Sequence, residues 1–211
     1  MNLTIKCLFL AVMTVFSQAL FAKNEALPLL LSHLASFTQY QASFEQQTLD
    51  DKGVPMQTLL GSLVLQKPNL FYWQADEPAA QKLVSDGKTI WHFDEDLEQV
   101  IVQAYADQKQ QSPLLLILED EASLSSRFDV SIKSRTPILL FSLHPKDSAD
   151  ASNTIASIEL GFKDAKLSSL HFVDVMKQKV IVEFSDIVTN QTIDKTLFNF
   201  EIPLDADVLY E

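Results

Sequence analysis

Lys67-Pro68-Asn69-Leu70-Phe71-Tyr72-Trp73, then Leu83-Val84-Ser85-Asp86-Gly87-Lys88-Thr89-Ile90-Trp91, then Leu97-Glu98-Gln99-Val100 form the stretch on which the fold turns. Asp86-Gly87 lies between two segments of alternating apolar residues, and both residue types tolerate the positive φ that a two-residue hairpin turn demands. Gln81 to Ser85 and Lys88 to Asp94 are therefore expected to pair antiparallel. A strand sends alternate side chains to opposite faces, which lets Trp73 and Trp91, on consecutive stretches of this meander, point to one side. That side is either core or the wall of a binding cavity. The whole stretch is apolar and aromatic and holds no catalytic constellation.

The strand pattern extends both ways from this meander. Upstream it covers Gln41 to Leu49, Gln57 to Gln66 and Asn69 to Ala75, with Gly53 marking the first turn, and Gln99 to Tyr105 follows the hairpin. Downstream it resumes with Phe128 to Lys133, Ile138 to His144, Ile155 to Phe162, Ser168 to Val175, Lys179 to Ile187 and Thr196 to Ile202. Helical signals are confined to two places. Leu27, Leu30, Leu31, Leu34 and Phe37 recur at three- and four-residue steps between Glu25 and Phe37, with Pro28 tolerable only in the first turn. After a polar, loop-like Ala106 to Ser112, Pro113 opens the run Leu114 to Leu118, which reads as a short helix apolar nearly all round, with a buried strand as the rival. About a dozen strands with two attached helices read as a mainly β sheet or barrel.

The N-terminus reads as an export signal over residues 1–22: Lys6 supplies the positive region, Leu8 to Phe16 the apolar region, and small residues place cleavage after Ala19 or Ala22. Cys7 lies inside that signal, so the exported chain has no thiol, which excludes disulfides, zinc-thiolate sites and cysteine nucleophiles. About 190 residues remain, the size of one domain, over 23–211. The chain carries a net charge of −12, and loss of Lys6 takes −12 to −13. Such a surface repels phosphate backbones and anionic headgroups, which excludes nucleic acid as a partner and argues against stable membrane insertion. Beyond the signal no run of about 18 apolar residues occurs.

Catalytic and metal-binding patterns are missing from the sequence. The glycines Gly53, Gly61, Gly87 and Gly161 are too far apart for a phosphate-cradling loop. His33, His92, His144 and His171 are scattered, without metal-ligand spacing. Asp94-Glu95-Asp96 and Glu119-Asp120-Glu121 lack calcium-loop spacing and read as solvated turn and helix-end charges. Ser123, Ser125 and Ser126 lie in no nucleophile elbow. What stands out is apolar and aromatic surface: Phe71, Tyr72, Trp73, Trp91, Phe93, the leucines near Leu31 and the patch Leu114 to Leu118. Two apolar helices on a β-sheet suit the cover of a hydrophobic cavity.

The segment Gly61-x-Leu63-x-Leu65-x-Lys67-Pro68-Asn69-Leu70-Phe71-x-Trp73, followed by Leu83 to Trp91 and Glu98-Gln99, closely resembles the LolA family of periplasmic lipoprotein carriers. Ala42-Ser43-Phe44-x-Gln46 upstream and Ser112-Pro113 with its apolar run downstream extend the likeness over Phe37 to Leu118. This resemblance implies an incomplete, unclosed antiparallel β-barrel capped by short α-helices that enclose an apolar cavity. It implies a periplasmic, monomeric carrier, not an enzyme and without a cofactor or metal, that accepts acylated lipoproteins from the inner-membrane transporter LolCDE and passes them to the outer-membrane receptor LolB. On the same footing Leu34, Leu114, Leu115, Ile117 and Leu118 belong to the lid, and Phe71, Trp73 and Trp91 to the cavity or its mouth. The family commonly carries arginine before Pro-Asn-Leu-Phe, where it holds lid-helix carbonyls; Lys67 keeps the charge on a flexible stem and implies a looser latch. The rival is a binding or sensor module of the same fold for another lipid or acylated ligand.

Overall fold

The computed structural model describes residues 25–76, 78–108, 112–146 and 154–211. The export signal, its cleavage points and Cys7 lie outside the described residues. Residues 25–35 form helix α1. Strands β1 (Gln39–Leu49), β2 (Pro55–Gln66), β3 (Leu70–Ala75), β4 (Gln81–Asp86), β5 (Thr89–Asp94) and β6 (Gln99–Ala104) follow as a meander. Three short helical pieces come next: α2 (Tyr105–Gln108), a 3₁₀ helix (Pro113–Leu118) and α3 (Glu121–Arg127). A second meander comprises β7 (Phe128–Ser134), β8 (Leu139–Pro145), β9 (Ile155–Lys163), β10 (Lys166–Asp174) and β11 (Lys179–Thr189). A 3₁₀ turn (Lys195–Phe198) and β12 (Asp207–Tyr210) end the chain.

Among the described residues all the strands join in one 12-stranded sheet of order β12-β6-β5-β4-β3-β2-β1-β11-β10-β9-β8-β7, with β12 and β7 as its two ends, so the sheet is not closed. Every pairing is antiparallel except that of β12 with β6. β1 and β11 fuse the two meanders, and a bulge between Gln41 and Ser43 accommodates Asp186, at φ 52°, within β11.

The alternation read from the sequence is realised on the face we call inner. Tyr40, Ala42 and Phe44 of β1, Leu63 and Leu65 of β2, and Phe71, Trp73 and Ala75 of β3 are all buried in one large cluster. Phe141 and Leu143 of β8, Leu160 and Phe162 of β9, Leu170 of β10 and Val182 of β11 continue that cluster across the second meander.

Four expectations are corrected. The hairpin at Asp86-Gly87 pairs Ser85 with Ile90, so four residues separate the paired positions, and of Asp86 and Gly87 only Gly87, at φ 91°, takes a left-handed conformation. The Asp86 carboxylate instead accepts from the backbone N–H groups of Lys88 and Thr89, both at 2.8 Å, which locks a longer turn. The two-residue turn lies elsewhere, at Asp164 and Ala165 with φ of 51° and 63°, between the paired Lys163 and Lys166.

Thr196 to Ile202 is not a strand. Asp194 caps a 3₁₀ turn by accepting from the Thr196 N–H at 3.0 Å, and the last strand is Asp207–Tyr210. Helices, too, are not confined to two places: Asp120 accepts from Ser123 N–H at 2.8 Å as the N-cap of α3, and the polar stretch after β6 begins with α2.

Trp73 and Trp91 lie on opposite faces. Trp73 pairs with Leu83, Leu83 with His92, and Tyr72 with Val84 and Val84 with Trp91, so Trp91 shares its face with Tyr72. That outer face is covered by the C-terminal segment: Val64, Ile193 and Phe198 form a second buried cluster joined by Leu70, Tyr72 and Leu197. Phe200 lies 6.1 Å from the Trp91 ring and 5.9 Å from that of Phe93.

Candidate apolar site beneath two helices

The inner face of β1 to β3 is an aromatic and aliphatic wall built by register. Tyr40 pairs with Leu65 and Leu65 with Phe71; Ala42 pairs with Leu63 and Leu63 with Trp73; Phe44 pairs with Gly61 and Gly61 with Ala75. The missing side chain at Gly61 is what lets Phe44 lean across the strand. A Cβ there would stand 2.0 Å from the Gln74 carbonyl oxygen and 2.7 Å from Phe44 Cζ. The Phe44 and Trp73 rings accordingly stack at 3.6 Å with an 18° interplanar angle. Tyr40 takes the one polar atom of its side chain out of contention by donating its hydroxyl to the Leu167 carbonyl at 2.7 Å, and burial drives the phenol's pKa up.

Two helical pieces cover this wall. From α1, Ala26, Leu30 and Leu34 recur on one stripe and are buried. From the 3₁₀ helix, Leu115, Leu116, Ile117 and Leu118 are buried in the same cluster and Leu114 packs against it part-exposed. The run after Pro113 is thus helical, as expected, though wound as 3₁₀. Of the residues expected at the site, Leu34, Phe71, Trp73, Leu114, Leu115, Ile117 and Leu118 come together here. Trp91 does not: its ring belongs to the outer face.

Lys67 reaches α1 from the turn between β2 and β3. Its ammonium donates to the Leu34 carbonyl at 2.5 Å and stands 4.6 Å from the centroid of the Phe37 ring. A cation at the last turn of a helix meets both an orphan carbonyl and the negative end of the helix dipole. Burial opposes that attraction and pulls the lysine pKa down to about 8.

The 3₁₀ helix has its own tether. Glu119, whose side chain is fully buried, receives Arg127 Nη1 at 2.9 Å, and the Arg127 guanidinium lies 5.0 Å from the Phe128 ring. Glu119 is therefore an internal tie between the 3₁₀ helix and α3, not one of the solvated charges read from the sequence; its neighbours Asp120 and Glu121 are exposed. Burial, reinforced by the Glu119 charge, pushes the Tyr105 hydroxyl up to about 12.

The surroundings offer solvation by hydrocarbon rather than acid–base chemistry. Among the described residues no three His, Cys, Asp or Glu side chains gather where one metal ion would be held. No described helix is long and apolar enough to cross a membrane. Sequence reasoning missed Glu119 and Arg127, and it missed Asn190, whose side chain grips the segment after α1.

The family described as Outer membrane lipoprotein carrier protein LolA matches residues 35–201. An outer-membrane lipoprotein carrier protein from Pseudomonas fluorescens strain Pf0-1 is 34% identical over 170 residues, 81% of each chain. Another, from Pseudomonas aeruginosa strain PAO1, is 32% identical over 208 residues, covering 98% of this chain and 99% of its own. Among solved structures, an uncharacterized conserved protein from Thermus thermophilus is similar in fold with a TM-score of 0.54 at 13% identity, over 86% of this chain and 96% of that one.

Proposed function

We propose the function from one premise: the chain belongs to the outer membrane lipoprotein carrier protein LolA family, a family of carriers and not of enzymes. It carries acylated lipoproteins through the periplasm, accepting them from the inner-membrane transporter LolCDE and delivering them to the outer-membrane receptor LolB. The observation that supports this reading is the stacking of two leucine-rich helical pieces, with Leu34 and Ile117 buried, over a wall that holds Phe71 and Trp73. Each buried methylene is worth about 0.8 kcal/mol, so three acyl chains of about 16 carbons exposed to water represent on the order of 30 kcal/mol. No lipoprotein crosses an aqueous compartment against that figure without a carrier.

The covered wall also supplies a route to release. In the closed arrangement the site's own leucines occupy the apolar surface that acyl chains would use, so admission of a ligand breaks protein–protein contacts and lowers net affinity. The Lys67 bond to Leu34 adds to the stability of the closed arrangement. A carrier tuned this way holds lipid less tightly than a receptor without such a cover, and transfer runs downhill without nucleotide.

Native mass spectrometry of the mature chain, after incubation with spheroplasts synthesising a triacylated lipoprotein, tests the proposal. A soluble one-to-one complex with the acylated but not the acyl-free lipoprotein is expected. Failure to release that cargo, with a free phospholipid bound instead, would move the function to carriage or sensing of another lipid.

A further inference from the structure

The segment joining α1 to β1, residues 36–38, is gripped from two sides, and the two grips differ in kind. On the β11 side Asn190 makes four bonds, one of them a long 3.5 Å contact in which its Oδ1 accepts from the Thr38 hydroxyl. Its side-chain Nδ2 donates to the Ser36 carbonyl at 3.0 Å, its Oδ1 accepts from the Thr38 N–H at 2.9 Å, and its own N–H donates to the Gln39 carbonyl at 2.9 Å. On the β2 side the Lys67 N–H donates to the Thr38 carbonyl at 2.8 Å. These bonds hold backbone to a fixed strand end. The Lys67 ammonium bond to Leu34, by contrast, grips the last turn of α1 through a flexible four-carbon stem.

The residue type at 190 follows from the geometry. A carboxamide presents a donor and an acceptor side by side, as needed to bridge a carbonyl and an N–H two residues apart, and asparagine tolerates the left-handed backbone found here at φ 57°. The bridge lies on the far side of β1 from the wall residues of β2 and β3, so it contacts neither the expected lid stripe nor the acyl-facing surface. Nothing in its contacts serves ligand binding directly.

We infer that Asn190 is the pivot of the α1 cover: a positioning residue that keeps residues 36–39 fixed while the helix swings about the Leu34 to Ser36 link and the Lys67–Leu34 bond opens and closes. The pivot returns Leu30 and Leu34 to one register each time the cover closes. This rests on the carrier reading for its purpose, but its geometry is testable without any ligand.

Hydrogen exchange read by mass spectrometry on the mature chain separates pivot from latch. In Lys67→Leu, amides of residues 29–35 exchange roughly five- to tenfold faster while Thr38 and Tyr40 stay as protected as in the wild type, the loss of about one bond on one side of the pivot. In Asn190→Gly, which removes the bridge without strain at positive φ, Thr38 and its neighbours lose protection by a similar factor together with α1. Asn190→Asp keeps an acceptor for the Thr38 N–H and restores its protection while leaving Ser36 ungripped. Protection of β1 and β11 beyond residue 42 is unchanged in all three, which a general loss of stability would not allow.

Equal loss at 29–35 and at 36–40 in Lys67→Leu would overturn the pivot, as would an Asn190→Gly protein that protects Thr38 like the wild type. Binding of an acylated lipopeptide, measured separately, reports on the carrier reading: a chain that exchanges as described but binds no lipopeptide keeps its pivot and loses that function.

Discussion

Replacing Gly61 by alanine tests the construction of the apolar wall. The added methyl group would stand 2.0 Å from a backbone oxygen, that of Gln74, and 2.7 Å from Phe44 Cζ. The backbone of a central strand cannot yield cheaply, and overpacking of this sort costs about 1–3 kcal/mol. The Phe44 ring must also leave its 3.6 Å stack on Trp73, an interaction worth about 0.5–1.5 kcal/mol. Against these stands the smaller conformational freedom of alanine in the unfolded chain, up to about 1 kcal/mol. The net loss is about 2.5 kcal/mol, which for a chain of this size lowers Tm by about 5–10 °C. Thermal unfolding followed by far-ultraviolet circular dichroism reads the stability, and Trp73 emission reads the stack. A Gly61→Ala protein that melts within about 2 °C of the wild type with unchanged emission would refute the steric account, and with it the claim that glycine at this position shapes the wall.

Four further outcomes are expected. Trp73→Ala loses about 3–5 kcal/mol of stability and weakens binding of an acylated lipopeptide, whereas Trp91→Ala leaves that binding within about twofold, since its ring lies on the other face; isothermal titration and urea unfolding compare the two. Lys67→Leu slows onward transfer of cargo to the receptor, and transfer at the wild-type rate would dispose of the latch. The same residue sets a pH dependence: its folded pKa of about 8 lies below the ordinary lysine value of 10.5, so the cost of burying the cation is present below about pH 8 and relieved as pH rises toward 10.5. The stability of the wild type relative to Lys67→Leu therefore climbs across that window, and a flat difference in denaturant midpoints would contradict it. Glu119→Gln costs about 1–3 kcal/mol and lets the Tyr105 pKa fall from about 12, because the charge that reinforces its upward shift is gone; ultraviolet titration of tyrosinate checks the direction.

The sequence was most legible where periodicity and burial agree. The wall strands β1 to β3 and the stripe Leu30, Leu34 announce themselves because alternation and helical spacing are local properties of the chain. The relation of Trp73 to Trp91 was not local. It depends on the parity of the connection between Ala75 and Gln81, where adding or removing one residue moves every side chain of the next strand to the other face. Phe198 and Phe200 imitate a strand because they alternate, yet they pack against the outer face from a 3₁₀ turn and the extended residues after it. β12 has only four residues and owes its existence to β6, so nothing in Asp207 to Tyr210 marks it. Glu119 looked solvated because its partner Arg127 arrives one helix later, and Asn190 carries no pattern at all; its meaning comes from a loop 152 positions away in the chain, joined to it at 2.9 Å.

The C-terminal segment gives the first meander a second dry side. Val64, Ile193 and Phe198 seal the back of strands whose front lies beneath α1 and the 3₁₀ helix, and β12 then clamps the outermost strand of that meander, with Asp207 N–H bonded to the Glu98 carbonyl at 2.8 Å. A single-layered sheet stripped of its cover would wet both faces and lose much of what holds it together. Here the two faces are sealed by different segments and different buried clusters, so cover and frame are assigned to separate parts of the chain. Mutations along residues 193–200 should therefore behave as defects of the frame, felt equally with cargo on board or absent, and a truncation before Ile193 should cripple the empty protein long before any lipid is offered to it.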